Sequence, residues 1–284
     1  MFSIRSILSL SCDDVESVNQ SIHSNADVIQ IDLNGDVISN SSGGELRSRL
    51  KVIFDEGRLL LIKLNVDSLK YLNTDISNIC SDYFVGLVVD GVEAPQDIRD
   101  ADVALRKYEG DQNLQPGFLA LFPEISSVEG LVRLSDILDS VDRIGAVFVN
   151  CSQITTDFGD KKDTLDLNNY ILFRSAFETR AKRIPWVLAE YGKNIQSKMI
   201  STAYNADAFG VVVTSEAQVL GINSLFTPST FDTEKAQKIV NDFEKVQNQQ
   251  VPELNVKLNL GKIVLRRAYW LLEQARLISK RKKM

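Results

Sequence analysis

Phe118-Leu119-Ala120-Leu121-Phe122-Pro123-Glu124-Ile125-Ser126-Ser127 and Asp142-Arg143-Ile144-Gly145-Ala146-Val147-Phe148-Val149-Asn150-Cys151-Ser152-Gln153 frame one stretch of this chain, 118–159. Both apolar runs end abruptly in polar residues. Between them lie Leu, Val and Ile at helical spacing, enough for one helix. A strand, a helix and a second strand imply parallel pairing, because parallel strands need a crossover. Parallel sheets gather their chemistry at the carboxyl ends of the strands. Glu124, after the first run, and Asn150, Cys151, Ser152 and Gln153, after the second, are therefore expected at one mouth.

The same unit recurs along the chain. Apolar runs at 3–10, 27–33, 59–64, 84–89, 118–122, 144–149, 186–189 and 208–213 alternate with helical patterns near 13–25, 45–56, 67–78, 95–107, 127–138, 165–182, 194–205 and from 216. Asp13 is placed to cap the first helix, and Gly57 closes the second. Pro95 falls in the first turn of its helix. Ser126 and Glu129 have capping-box spacing. Eight strand–helix units over about 220 residues match a (β/α)8 TIM barrel. A doubly wound sheet is the alternative, but the even spacing of the units favours closure. The predicted barrel covers 1–228. The remainder, 229–284, holds helical patterns near 232–249 and 262–280, the last with Ile263, Ala268, Leu271, Leu272 and Ala275. That is too little apolar surface to fold alone, so these extra C-terminal helices are expected to pack on the barrel or on a neighbouring subunit.

Composition narrows the function. The net charge of -6 argues against a nucleic-acid surface over the whole protein. No apolar run approaches the roughly 18 residues that span a bilayer, and the first residues lack the pattern of a signal peptide. Cys12, Cys80 and Cys151 are scattered and odd in number, neither a disulfide framework nor a zinc pattern, so a reducing cytoplasm is expected. A single histidine, His23, excludes paired-histidine zinc sites; its place in the pattern Val15, Val18, Ile22 suggests a surface or helix-end residue.

Several residues could carry chemistry. Glu124 suits a hard cation such as magnesium, or it is a charge at a helix N-terminus. Asp32, Asn34 and Asp36 end the second run, where they could order a ligand or simply form an Asn-Gly-Asp turn. Lys63 could meet a substrate carboxylate. Arg5 could reach the mouth or form a buried ion pair with a barrel acid. Cys151 has no histidine near it to activate a thiolate, which favours a packed thiol.

At these residues the chain resembles the citrate lyase β-subunit, malyl-CoA lyase and HpcH/HpaI aldolase family. The likeness lies in Arg5-Ser6-Ile7-Leu8, Asp27 to Leu33, Phe122-Pro123-Glu124, Ala146 to Gly159, Gly210 to Asn223, Phe226-Thr227-Pro228-Ser229, Gly261-Lys262 and Leu265 to Ala268. It implies a barrel with extra C-terminal helices, usually oligomeric. It also implies magnesium-assisted making or breaking of a carbon–carbon bond in a small acid or acyl-CoA. The family's metal ligands fall on Glu124 and Gln153, and the Glu before the second ligand falls on Ser152. Its arginine after strand three falls on Lys63. Its Glu-Asp pair after strand two becomes Asn34 and Gly35, with Asp36 one position late. The Lys and His of its strand-eight motif fall on Val211 and Ser215. Two functions follow. In a divergent lyase, Glu124 and Gln153 hold the metal, helped by Asp36 or Asp157. Lys63 then holds the substrate acid, with Arg5 and the groups of Asn150, Cys151 and Ser152 around it. The alternative is a non-catalytic member, a homo-oligomeric binding or assembly subunit.

Overall fold

The computed structural model describes residues 4–33, 43–72, 84–159, 164–192, 197–248 and 255–281. Its strands are β1 (Ser6–Ser11), β2 (Val28–Asp32), β3 (Leu59–Asn65), β4 (Gly86–Asp90), β5 (Ala120–Ile125), β6 (Val147–Val149), β7 (Trp186–Ala189) and β8 (Gly210–Val213). All pair in parallel, each with its successor, and β8 closes on β1 through Ser6–Val211, Ile7–Val212 and Leu8–Val213. This is the closed eight-stranded barrel expected from the strand–helix period. The helices described in the barrel unit are α1 (Val15–Gln20), α2 (Gly43–Asp55), α3 (Pro95–Asp111), α4 (Val128–Val132), α5 (Leu134–Leu138), α6 (Cys151–Thr156), α7 (Leu165–Lys182), α8 (Ser197–Asn205) and α9 (Glu216–Phe226).

The barrel interior follows from the two-residue period of its strands. Val28, Leu61, Val88, Phe122, Phe148 and Ala189 belong to one buried apolar cluster. Two residues further along each strand stand Gln30, Lys63, Asp90, Glu124, Asn150 and Tyr191. Each inward column thus changes from apolar to polar on approaching the carboxyl end. That single change places the site.

Local details differ from the sequence pattern. Glu124 lies inside β5 and pairs with Phe148 rather than following the strand. The helix expected over 127–138 breaks into α4 and α5 at Arg133, whose φ of -91° and ψ of 7° leave the helical region. Ser127, not Ser126, caps α4 by accepting from the Gly130 N–H at 3.1 Å. Asp14, not Asp13, caps α1 through Ser17. Of the helix expected over 67–78, a 3-10 turn at Val66–Tyr71 is described and the rest falls outside the described residues. Arg5 precedes β1 at the end opposite the mouth, where it makes a bidentate pair with Asp27, the Nη2–Oδ1 distance being 2.7 Å. Of the two expectations for Arg5, the described contact is the buried ion pair with a barrel acid, at the barrel floor.

The chain divides into two compact units, one of them Ile4–Asn223. In the second, α10 (Thr230–Asn248) and α11 (Asn255–Arg281) pack together through Ala236, Ile239 and Val240 against Leu265, Ala268, Leu271 and Leu272. Part of the apolar face expected on the last helix is thus covered by its neighbour in sequence.

Closure of the ring depends on Gly210. A Cβ there would stand 1.9 Å from the Ile4 carbonyl oxygen and 2.5 Å from that of Arg5, both backbone atoms. Gly210→Ala should therefore push β8 from β1 and cost about 1–3 kcal/mol or more in urea denaturation; an unchanged midpoint would show that the seam can yield.

Candidate functional site at the barrel mouth

Glu124 is fully buried, and every contact described for it is a donor. The Lys63 Nζ donates to Glu124 Oε1 at 3.0 Å, and the Tyr191 hydroxyl donates to Oε2 at 2.6 Å. The Asn150 Nδ2 approaches Oε1 at 3.5 Å. Lys63, itself buried, also lies 3.0 Å from Asp90 Oδ2 and 4.0 Å from the centroid of the Tyr191 ring. Asp90 Oδ1 accepts from Ser126 Oγ at 3.2 Å and from the Gly91 N–H. Beneath this group, Gln30 Nε2 donates to Ser9 Oγ at 3.0 Å and reaches Tyr191 Oη at 3.5 Å, while Gln30 Oε1 is buried with no hydrogen-bond partner among the described residues.

The charges follow from burial and pairing. Burial raises the Glu124 pKa to about 7 against the pull of Lys63. Burial pulls the Lys63 ammonium down, but Glu124 and Asp90 outweigh it and the net shift is upward. Lys63 is therefore a cation at neutral pH and no nucleophile. Asp32, half-buried beside them, is raised by burial, with Lys63 opposing and Asp90 adding. Tyr191 is pushed well above its ordinary value by burial and by Glu124, and stays protonated to donate.

The second polar cluster is organised by a residue the sequence reading passed over. Glu190, buried just past β7, accepts from the Ser152 N–H at 2.9 Å and from Ser152 Oγ at 2.5 Å. It also accepts from the Cys151 N–H; burial raises its pKa and these bonds oppose the rise. The Cys151 side chain turns away, with Sγ 3.5 Å from Asn168 Oδ1, and burial followed by Glu190 drives its thiol pKa upward. It is a packed thiol. A carboxylate of the chain thus already accepts from both amides where a substrate acid was expected. Asn150 caps α6 by accepting from the Gln153 N–H at 3.0 Å, and the Gln153 side chain is exposed. Asp157 accepts from the Val128 N–H at 2.9 Å. Asp36 lies outside the described residues.

Among the described residues the mouth does not fit a magnesium ion. Such an ion needs hard oxygen ligands at about 2.1 Å, usually carboxylates. The two nearest carboxylates, Glu124 and Asp90, share the Lys63 ammonium, and the other expected ligand is the neutral amide of Gln153. Among the described residues, no three Asp, Glu, His or Cys side chains are arranged to hold a metal.

No protein-family model matches the sequence, and no curated protein matches it. Solved structures do. A citrate lyase from Burkholderia xenovorans superposes with a TM-score of 0.69 at 12% identity, covering 98% of this chain and 96% of that one. A magnesium and glyoxylate complex of Haloferax volcanii malate synthase gives 0.63 at 15%, covering 93% and 97%. The citrate lyase β subunit from M. tuberculosis, complexed with oxaloacetate and magnesium, gives 0.61 at 12%, covering 80% and 98%. The likeness suggested by the sequence motifs holds at the level of the fold.

Sequence spacing found Glu124 and Lys63 but missed Asp90, Gln30, Tyr191 and Glu190. Gln30 was visible as the one polar residue in Val28-Ile29-Gln30-Ile31. Tyr191 stands two residues beyond Ala189, on the same inward column.

The raised pKa of Glu124 makes stability depend on pH. Its folded value exceeds the unfolded value, so the folded state binds the extra proton between about pH 4.5 and about 7. Its contribution should fall across that window as pH rises, by on the order of 1 kcal/mol per unit, and level off above it. Urea midpoints across pH for the wild type and Glu124→Gln check this: the variant should lose that slope.

Proposed function

We propose that this chain keeps the barrel of the citrate lyase β-subunit and malate synthase group but has given up magnesium-assisted carbon–carbon lyase chemistry, serving as a binding or assembly subunit. One observation carries the reading: the Lys63 ammonium sits 3.0 Å from both Glu124 and Asp90. An internal cation stands where the two carboxylates would have to receive an external one. It is tethered to the chain and lies 4.0 Å from the centroid of the Tyr191 ring, so a metal would have to displace it.

The charge of the mouth supports the same reading. Asp32, Asp90 and Glu124 face one cation, Lys63, whose charge is already shared, and Glu190 adds a further carboxylate bonded to α6. Oxaloacetate and glyoxylate, present with magnesium in the relatives, are anions. Without a divalent ion to offset these carboxylates, such an acid meets repulsion. The amides near Cys151 that would receive its carboxylate are held by Glu190. Cys12 and Cys151, both buried and outside any disulfide, suit the reducing cytoplasm in which we place the protein.

Titration calorimetry tests the reading. Wild type should show no magnesium binding up to about 10 mM and no cleavage of malyl-CoA or citramalyl-CoA. Gln153→Asp alone should remain silent, because Lys63 still holds Glu124 and Asp90. Gln153→Asp combined with Lys63→Ala should bind magnesium. Tight magnesium binding and turnover by wild type would sink the proposal and restore the divergent lyase.

A further inference from the structure

Helix α7 buries its small polar side chains and shows its aromatic ones. Asn168, Ser175 and Thr179 are buried with Ile171 and Leu172. The hydroxyls are satisfied within the helix, Ser175 Oγ donating to the Ile171 carbonyl at 2.8 Å and Thr179 Oγ1 to that of Ser175 at 2.7 Å. The exposed residues of the helix are Asp166, Tyr170, Phe173, Phe177 and Arg180, with the small Ala181 beside the last. Phe177 is 76% exposed, Tyr170 60% and Phe173 46%. Their spacing of four, three, four and three is that of a heptad seam, the geometry by which one helix lies along another. A helix face that ends in water carries polar residues there instead.

We propose that α7 is a contact between two copies of this chain, running antiparallel to α7 of the second copy about a twofold axis at Phe173. The order acid, aromatic, aromatic, aromatic, base decides the occupant. Reversed against itself, the seam brings Phe173 onto Phe173 of the second copy and Tyr170 onto Phe177 of the second copy. Asp166 at one end then faces Arg180 at the other. Parallel pairing would set acid on acid and base on base. The self-complementary order is what a closed isologous dimer requires, and a partner of unrelated sequence gives no reason for it. Arg180 is held in place by Asp207 at 2.7 Å while most of its side chain stays exposed, so its charge is presented from a fixed position. The contact involves neither the mouth nor its lysine and stands independently of the reading above.

Light scattering and sedimentation on the full chain test it. Wild type should approach twice the single-chain mass by about 100 µM, since one helix buries less than the roughly 800 Å² per partner of a standard interface. Phe173→Glu puts two like charges on the axis and should raise the dissociation constant at least about a hundredfold. Its circular dichroism should be unchanged, because Phe173 is exposed. Cysteine cross-linking reads the register: Phe173→Cys should form an intermolecular disulfide by itself, whereas Tyr170→Cys should do so only when mixed with Phe177→Cys. A single-chain mass at every concentration would assign the seam to a different partner and overturn self-pairing. A dimer that survives Phe173→Glu, or a Phe173→Cys chain that does not cross-link, would overturn it too.

Discussion

A carboxylate with no exposure to water cannot carry its charge unless the protein supplies what water would have supplied. Glu124 is that carboxylate, and the mouth of the barrel is arranged around its need. Lys63 from β3 gives a charge, Tyr191 beyond β7 a short hydrogen bond, and Asn150 after β6 an amide. Lys63 in turn is too buried to be content with one partner, so Asp90 of β4 completes it. Residues from β3, β4 and β5 and from just past β6 and β7 are thereby tied at one end of the ring. A removed partner would leave an uncompensated buried charge, which costs more than the pair itself contributes.

The fold was legible because two simple periods run through the chain. Apolar runs of four to eight residues alternate with helical spacing, and closure follows from their number and even separation. The inward columns were legible too, in hindsight: Val28-Gln30-Asp32 and Leu61-Lys63 alternate cleanly with outward Ile29, Ile31 and Ile62. What spacing cannot give is a partner. Lys63 and Glu124 are 61 residues apart, and their contact depends on the register of three strands. Glu190 was hidden for a different reason. It stands one residue past a four-residue strand, so its side chain serves α6 rather than the inward column.

Helix α7 marks the limit of pattern reading at the surface. Its length was clear from the sequence, but its apolar residues fall on two faces, Ile171 and Leu172 on one and Tyr170, Phe173 and Phe177 on the other. Periodicity then says helix without saying which side is the core. The packing decides through size. The buried face takes Ser175 and Thr179, whose hydroxyls fold back on carbonyls of their own helix, while the rings lie on the other face.

The mouth makes a second argument when its two clusters are taken together. Two of the solved relatives hold magnesium together with an acid, oxaloacetate in one and glyoxylate in the other. Here the chain supplies a cation and an acid of its own, the ammonium of Lys63 between Glu124 and Asp90, and the carboxylate of Glu190 on the Ser152 and Cys151 amides. A tethered group loses far less freedom on docking than a free ligand does. On the proposed reading, each tethered partner has this advantage over its diffusing counterpart. Such exchanges relieve the strain of like charges and unpaired donors that an open active site maintains, and stability gained in this way is ordinarily paid for in activity. On the proposed reading, one ammonium and one carboxylate at the strand ends turn the mouth of this barrel into a network whose members are already partnered by the chain itself.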